Sequence, residues 1–423
     1  MKYPDYPSWY YSLFTVFLMS FFYSPSSYAA KELSPVNRMI IRGDQLKTDS
    51  LPSDHFIHFY GNLDNFLFHV RNKKTATVAF LGGSITAGKG WRDEVMYYLE
   101  HEYPGTKFTF INAGIPSLGS LPHAFRLTTD VLSKGTINLL FVEAAVNDLA
   151  NETPVSYQRR ALEGIVRHAL KFNPSMNIVM MAFVDEMKIK EYNAGKIPVE
   201  VQVHDDIARH YKLPFINLAE EVTKRINAKE FTWEADFKDL HPSPFGQQIY
   251  FRTIKRLLEV SSAGKFPSRI ISTKLPLQLE KFNYSRGEYA PVSQADNLKG
   301  FELNPAWVPA DSAKTRKGFV NVPMLVSQQA GSSFEFSFNG SAVGIAVVSG
   351  PDAGIIQYTI DNGQEKNIDL FTQWSKSLHL PWYLMMEDGL NPGKHILRIK
   401  IMNSYNSRSV GTACRIVHFL VNK

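Results

Sequence analysis

Hydrophobic and polar residues follow two different periods along this chain, and the change of period divides the sequence into two regions. Up to about residue 260, short apolar runs alternate with segments in which apolar residues recur every three or four positions. Beyond about residue 290, single apolar residues alternate with polar ones. The first pattern predicts strands that alternate with helices around a parallel sheet, and the second predicts antiparallel β-structure.

Five apolar runs in the first region predict buried parallel strands. Such strands are covered on both faces, and their sequences are therefore almost continuously apolar. The runs span residues 78–81, 108–114, 137–147, 177–184 and 214–218. Because right-handed crossovers place the carboxyl ends of parallel strands on one edge of the sheet, we expect the residues that follow these runs to meet there.

The end of the first region carries clear helix and linker signals. Ser243 is a suitable N-cap residue and Pro244 suits the first helical position, so a helix is predicted to begin here. The serine, glycine and proline residues that follow predict a linker. The predicted organisation is an α/β domain with an N-terminal arm over residues 30–262, a linker over 263–289 and a second domain over 290–423.

The second domain is predicted to be an all-β sandwich of jelly-roll type. Phe334, Phe336 and Phe338 alternate with polar residues, and two further stretches around residues 343–347 and 397–401 do the same. An Asp-Asn-Gly sequence at 361–363 is a turn signal between two such runs. Short strands with this spacing are typical of sandwiches.

The first 29 residues resemble an export signal. Lys2 precedes an almost wholly apolar stretch at 9–23, and Ser27-Tyr28-Ala29 resembles a cleavage site for which cleavage after Ala29 is expected. An uncleaved anchor is the alternative, but 15 apolar residues fall short of the roughly 20 that span a bilayer. The sequence thus predicts a secreted, periplasmic or envelope-associated protein without a stable membrane span after cleavage. Its oligomeric state is left open.

Net charge adds one expectation about partners. The formal charge of +6 favours acidic partners such as anionic polysaccharides or lipid surfaces. No dense basic run concentrates this charge, and nucleic acid is therefore not an expected partner. The sequence also lacks a His, Cys and carboxylate cluster with metal-ligand spacing, so neither a metal nor another cofactor is expected.

The predicted strand ends carry groups of complementary chemistry. Ser84 follows Gly82-Gly83 after the first run, Gly114 ends the second, Asn147 ends the third, and Asp239 and His241 precede the last helix. A serine hydroxyl becomes a nucleophile when an imidazole takes its proton and a carboxylate orients that ring. Backbone and side-chain amides can stabilise the oxyanion that forms. These parts together predict acyl transfer.

In these blocks, over about residues 75–258, the sequence resembles the SGNH (GDSL-type) hydrolase superfamily. The resemblance implies a flavodoxin-like three-layer α/β fold and a nucleophile at Ser84 in Gly-Gly-Ser-Ile-Thr. It further implies oxyanion-hole donors at Ser84, Gly114 and Asn147, and a base at His241 in Asp-Leu-His-Pro. No cofactor is implied.

The sequence departs from the family pattern at three positions. Gly83 replaces the usual aspartate before the serine, and Ala145 replaces the usual glycine two residues before the asparagine. Lys238 occupies the position of the usual triad acid, three residues before the histidine. Three possibilities for orienting His241 follow: Asp239, which is our preferred triad acid, Asp236, or a Ser-His dyad steadied by a backbone carbonyl.

An exported hydrolase with an added β-domain resembles, in arrangement, the carbohydrate esterases that remove acetyl groups from polysaccharides. The sequence contains no long apolar lid for a fatty-acyl chain. Aromatic residues at 369–374 and 378–383 could stack on sugars or be buried in the β-domain. The alternatives are a lipid or thioester hydrolase of the same fold and a non-catalytic glycan-binding surface protein. The particular glycan and acyl position are not specified.

Overall fold

Five parallel strands form the centre of the first region in the computed structural model, which describes residues 50–264 and 266–423 of the chain. An antiparallel edge strand, β1, joins them, and the order is β1-β6-β5-β4-β2-β3. The strands are β1 (Ile57–Phe59), β2 (Thr75–Gly82), β3 (Lys107–Gly114), β4 (Leu139–Glu143), β5 (Asn177–Ala182) and β6 (Pro214–Asn217). Counted from β2, the parallel strands have the flavodoxin order 2-1-3-4-5, as predicted.

Helices cover both faces of this sheet and complete the predicted three-layer α/β fold. One group contains α3, α9 and α10, and the other contains α4, α5, α6 and α8. The helices are α1 (Asp64–Phe68), α2 (Ser84–Ala87), α3 (Trp91–Glu102), α4 (Ser120–Asp130), α5 (Ala145–Ala150), α6 (Val155–Phe172), α7 (Glu186–Asn193), α8 (Val199–Tyr211), α9 (Leu218–Asn227) and α10 (Pro244–Ser262). As predicted, Ser243 caps α10 by accepting a hydrogen bond from the Gly246 N–H.

One predicted strand is shorter than expected. The run 137–147 yields only β4, which ends at Glu143, and Asn147 lies in the following helix α5. The Glu143 carboxylate accepts a hydrogen bond from the Val146 N–H at 3.3 Å. This bond satisfies one of the unpaired amides at the start of α5, so the chain turns into a helix although its residues remain apolar.

The second region is a large antiparallel β-structure of sandwich type, as predicted. Its strands are β7 (Gly287–Pro291), β8 (Ala295–Lys299), β9 (Glu302–Trp307), β10 (Val322–Ser327), β11 (Ser333–Ser349), β12 (Ile355–Ile360), β13 (Lys366–Asp369), β14 (Leu380–Ile401) and β15 (Cys414–Asn422). Long β11 contains two of the predicted alternating runs, because its pairing with β14 shifts register near Gly340 instead of ending there. Such irregularities bend a strand.

The stretch predicted to be a linker packs on the α/β region. Tyr284 is fully buried, and its backbone lies against Gly164 of α6, where any added Cβ would approach to 2.7 Å. The Glu163 carboxylate accepts hydrogen bonds from the Leu279 and Glu280 N–H groups, both at 2.6 Å. The described residues, 50–264 and 266–423, accordingly belong to one compact unit. The predicted export signal, residues 1–29, lies outside the described residues.

Candidate active site

Ser84 and His241 meet at the carboxyl edge of the parallel sheet. Ser84 is the first residue of α2, directly after β2, whereas His241 lies in the turn before α10. The Ser84 Oγ and His241 Nε2 atoms are 2.8 Å apart, which is hydrogen-bond distance. The fold therefore pairs a hydroxyl with an imidazole 157 residues away in sequence.

Asn147 lies beside Ser84 because β2 and β4 are neighbours on either side of the point where strand order reverses. Open α/β sheets bind their ligands at such a switch point. The Asn147 side chain rests directly against Gly83, where an added Cβ would lie 2.0 Å from its Oδ1 atom. Glycine in place of the family's aspartate at position 83 thus leaves the space that Asn147 occupies.

Gly114 lies opposite Gly82 at the end of β3, next to the nucleophile helix. An added Cβ there would come within 2.3 Å of the Ala87 nitrogen, so glycine is required for close packing of α2. Its N–H group donates a hydrogen bond to the Asn112 Oδ1 at 3.0 Å. A substrate oxyanion would have to compete with that side chain for the Gly114 donor.

The two candidate acids have different surroundings. The Asp239 Oδ1 lies 3.8 Å from the His241 Nδ1, which is too long for a hydrogen bond, and accepts one from the His241 backbone N–H at 2.6 Å. Asp236 instead accepts hydrogen bonds from the Thr232 N–H at 2.7 Å and its hydroxyl at 3.0 Å. Asp239 is thus the carboxylate beside the ring, and Asp236 caps a neighbouring turn.

Lys238, at the family's usual acid position, has an uncommon backbone conformation. Its φ of 84° and ψ of −64° describe a tight γ-turn that non-glycine residues rarely adopt. Its N–H donates to the Trp233 carbonyl. This turn directly precedes Asp239. The carboxylate beside the ring thus lies two residues before His241, one position later than in the family pattern.

Desolvation and two nearby charges set the pKa of His241. Desolvation by the surrounding protein has the largest effect and lowers its pKa below 6.5. The Asp239 carboxylate raises the pKa, and the guanidinium of Arg316, which comes from the β-region, lowers it. The neutral imidazole, which is the form that can accept a proton, is therefore favoured at neutral pH.

Two buried arginines brace the candidate site: Arg126, which sequence reasoning missed, and Arg92, which the sequence alone offers as a candidate substrate contact. Arg126 of α4 donates to the carbonyls of Gly82 at 3.2 Å and Ala113 at 2.6 Å, which joins the ends of β2 and β3. Arg92 of α3 donates to the carbonyls of Thr86 at 3.2 Å and Gly88 at 3.3 Å around α2. The only signal in the sequence was the position of each arginine on an otherwise apolar helix face.

Acidic residues near the strand ends have structural roles. Asp148 accepts hydrogen bonds from the Ser120 N–H at 2.8 Å and its hydroxyl at 2.9 Å, which caps α4. Burial raises the pKa of Asp148 and of Glu143 to about 7. Asp185 caps α7 and pairs with the fully buried Lys188. These carboxylates hold the scaffold behind the site.

The aromatic stretches of the β-region are largely buried. Phe371 and Tyr383 are buried, and the Tyr383 hydroxyl lies 2.6 Å from that of Tyr289. Trp374 and Trp382 are half-buried. Gln373 reaches the α/β region, where its side-chain amide donates to the carbonyl of Ala150, the last residue of the helix that carries Asn147, at 3.4 Å.

Within residues 50–264 and 266–423, no group of three or more His, Cys, Asp or Glu residues is arranged to hold a metal ion. Over the same ranges, no helix combines the length and the apolar character needed to cross a bilayer.

Comparisons with known proteins agree with the fold. Residues 80–249 match the GDSL-like Lipase/Acylhydrolase family. The chain is similar to the crystal structure of a two-domain esterase active on acetylated mannans, co-crystallised with mannopentaose, with 20% sequence identity and a TM-score of 0.71. The similarity covers 88% of this chain and 98% of that chain. A second crystal structure of a two-domain esterase active on acetylated mannans is 18% identical, with the same coverages and a TM-score of 0.69. No curated protein matches the sequence.

Proposed function

Because the chain carries a GDSL-type (SGNH) hydrolase domain followed by an all-β domain, we propose that it is a serine esterase that removes acetyl groups from a polysaccharide or oligosaccharide. The observation that carries this proposal is the 2.8 Å contact between Ser84 Oγ and His241 Nε2 at the switch point of the sheet. A nucleophile paired with a base at this position is what ester hydrolysis requires.

In the proposed mechanism, Ser84 Oγ attacks the ester carbonyl carbon while its proton passes to His241 Nε2. The tetrahedral intermediate collapses when His241 returns the proton to the departing sugar oxygen, and an acetyl-enzyme remains. Water, deprotonated by the same nitrogen, then releases acetate and restores the Ser84 hydroxyl. The Asp239 carboxylate stabilises the imidazolium that forms in both steps and orients the turn through the His241 N–H.

Three donors are proposed for the oxyanion. The Ser84 N–H begins α2 and therefore has no carbonyl acceptor within its helix. The Asn147 side chain lies next to Gly83. The Gly114 N–H completes the set once the oxyanion displaces the Asn112 side chain. Donors that are fixed before the reaction stabilise developing charge without reorganisation, typically by about 3 kcal/mol each.

The substrate class rests on similarity and on the absence of features that a lipase needs. The two structures compared above are of an esterase active on acetylated mannans. The His241 side chain is 60% exposed, so a bulky leaving group such as a glycan chain can reach it. The N-terminal pattern supports a secreted or envelope-associated enzyme, which would meet polysaccharides outside the cytoplasm.

A panel of acetylated polysaccharides, scored for released acetate, tests this function. We expect acetate release from at least one glycan and hydrolysis of short aryl esters, both abolished by Ser84→Ala. Full activity of that variant would remove the catalytic argument and favour a glycan-binding protein. Preference for long-chain lipid esters or thioesters over acetylated glycans would favour the other hydrolase class.

A further inference from the structure

The loop between β9 and β10, residues 308–321, extends from the β-region to the candidate active site. Phe319 of this loop is buried in a cluster against which Ile115 packs, and Ile115 directly follows the oxyanion residue Gly114. The loop also pairs with the neighbouring segment near residue 378, since Lys314 forms a bridge with Leu378. Its position is therefore fixed by packing and by backbone hydrogen bonds.

Arg316 is the residue that this loop brings to His241. Its charge is close enough to lower the pKa of the imidazole. Its Nε atom is buried without a hydrogen-bond acceptor among the described residues. Desolvation is the cause that lowers the pKa of Arg316 itself, and no carboxylate in the described part of the chain opposes it.

A buried N–H group without an acceptor is costly, and Arg316 is a half-buried residue whose Nε atom is such a group. Arg126 donates to two carbonyls and to Asp130, and Arg415 pairs with Asp352. Arg316 differs from both because its Nε has no acceptor among the described residues, and Phe319 of the same loop belongs to the cluster against which Ile115, beside Gly114, packs. A ligand that supplies planar, anionic oxygens would match the geometry of a guanidinium.

We infer that Arg316 binds a carboxylate of the substrate, and that the glycan deacetylated here carries uronic acid residues next to the acetylated sugar. This inference rests on the proposed esterase function and specifies its substrate. The exposed neighbours Lys314 and Lys317 add positive charge to the same loop, and the net charge of +6 has the same sign. An acidic polysaccharide would be attracted to this surface.

Competitive inhibition of aryl acetate hydrolysis tests the inference with the complete protein. Oligomers of galacturonate and of mannuronate are compared with the same oligomers after methyl esterification, which removes the charge and keeps the sugar. We expect the inhibition constant of the free acids to be about 10- to 100-fold lower, as for a charge-assisted hydrogen bond, and the difference to shrink as salt is added. Equal inhibition by both forms overturns the inference.

Variants separate the arginine from general charge. Arg316→Gln should remove the difference between acid and ester forms, and Arg316→Lys should keep part of it. Lys394→Gln removes the same charge from an exposed residue of β14, which pairs with Asn339 of β11 far from the loop. This control should keep the whole difference between acid and ester forms. If Arg316→Gln weakens both forms equally, the residue binds hydroxyl groups and the inference is wrong.

The outcomes also distinguish this inference from the proposed function. Failure of the wild-type protein to hydrolyse any aryl acetate would contradict the esterase itself. Hydrolysis of aryl acetate without preference for the uronate acids would contradict only the assignment of Arg316. A thermal melt of each variant identifies loss of folding, and the wild-type comparison of acid with ester stands without any variant.

Discussion

At the level of single residues, the groups around Ser84 differ in their distances and contacts. His241 contacts the Ser84 hydroxyl directly at 2.8 Å, whereas Asp239 lies 3.8 Å from the other ring nitrogen. The Asn147 side chain lies against Gly83, the residue before Ser84. These distances lead to separate expectations for the donor and for the acid.

For Asn147→Ala, we expect kcat on an aryl acetate to fall roughly 10²- to 10³-fold with little change in KM. The lost donor would act mainly on the charge that develops in the transition state. Steady-state kinetics at one pH measures both constants. A rise in KM with unchanged kcat would instead make Asn147 a residue that binds the ground-state substrate.

The acid is tested by Asp239→Asn and Asp236→Asn. Asparagine can still accept the His241 N–H, so the first variant removes the charge and keeps the turn. We expect kcat to fall by about 10²- to 10⁴-fold for Asp239→Asn, while Asp236→Asn is nearly silent because that carboxylate caps Thr232. Small, equal losses would indicate a Ser-His dyad, and a large loss only at position 236 would transfer the role.

The pH profile gives an independent check on the same residues. Activity requires neutral His241, so kcat/KM should fall on the acidic side at a pKa below 6.5. Asp239 raises this pKa and Arg316 lowers it. Asp239→Asn should therefore move the acidic limb to lower pH, and Arg316→Gln should move it to higher pH. Shifts in the opposite directions would contradict the placement of these charges.

Sequence reasoning could nominate Ser84, Gly114, Asn147 and His241 because each follows a recognisable strand or precedes a capped helix, and their roles stay predictions. It also preferred Asp239 as the acid, but it gave no signal that this carboxylate would accept from the His241 backbone N–H and lie 3.8 Å from Nδ1. Arg316 carried no signal either. It lies in an ordinary polar loop of the other region, and only tertiary packing brings it to the site.

At the level of elements, hydrogen bonds between helix ends fix the edge of the sheet. The carboxylate of Asp148 in α5 caps the start of α4, and Arg126 in α4 holds the ends of β2 and β3. The strands themselves were predictable, because continuous apolar runs specify them. The early end of β4 was not, because the Glu143 side chain, rather than a change in hydrophobicity, begins α5.

Asp148 should make the protein less stable as pH rises. Its pKa is about 7 in the folded state and about 4 in an unfolded chain. The unfolded state therefore releases this proton first, and the stability present below about pH 4 is lost as pH approaches 7. The Asp148→Asn variant keeps an acceptor for Ser120. Its melting temperature should fall less steeply with rising pH than that of the wild-type protein, and the difference should reach several degrees.

The matched control for Asp148 is Asp296→Asn, at an exposed strand position. Its melting temperature should follow the wild-type curve from pH 5 to pH 8. The melting temperature of Asp148→Asn should still fall somewhat with rising pH, because burial also raises the pKa of Glu143. An unchanged slope in Asp148→Asn would show that Asp148 is ionised without penalty in the folded protein.

At the level of the whole molecule, the two regions share one interior. Ala342, Tyr383, Met385 and Leu420 of the β-region belong to the same buried cluster as the strands of the parallel sheet. Arg160 of α6 pairs with Asp388 of β14, and the Tyr284 hydroxyl donates to the same carboxylate at 2.9 Å. Because the loop with Arg316 depends on this packing, the candidate site is complete only when both regions are present.

A chain that ends at residue 289 should therefore fail to form a stable α/β domain. Truncation would expose the part of the shared core that Met385 and Leu420 complete and the surface of α4 that β15 contacts, and large apolar surfaces that lose their cover promote aggregation. We expect this protein to be insoluble or to lack near-ultraviolet circular dichroism, whereas removal of residues 1–29 alone should leave a soluble protein. Calorimetry of the latter should show one cooperative transition, since a shared core links the two regions. Two separate transitions, or a folded and active fragment 30–289, would mean that the regions are independent and that activity does not require the loop with Arg316.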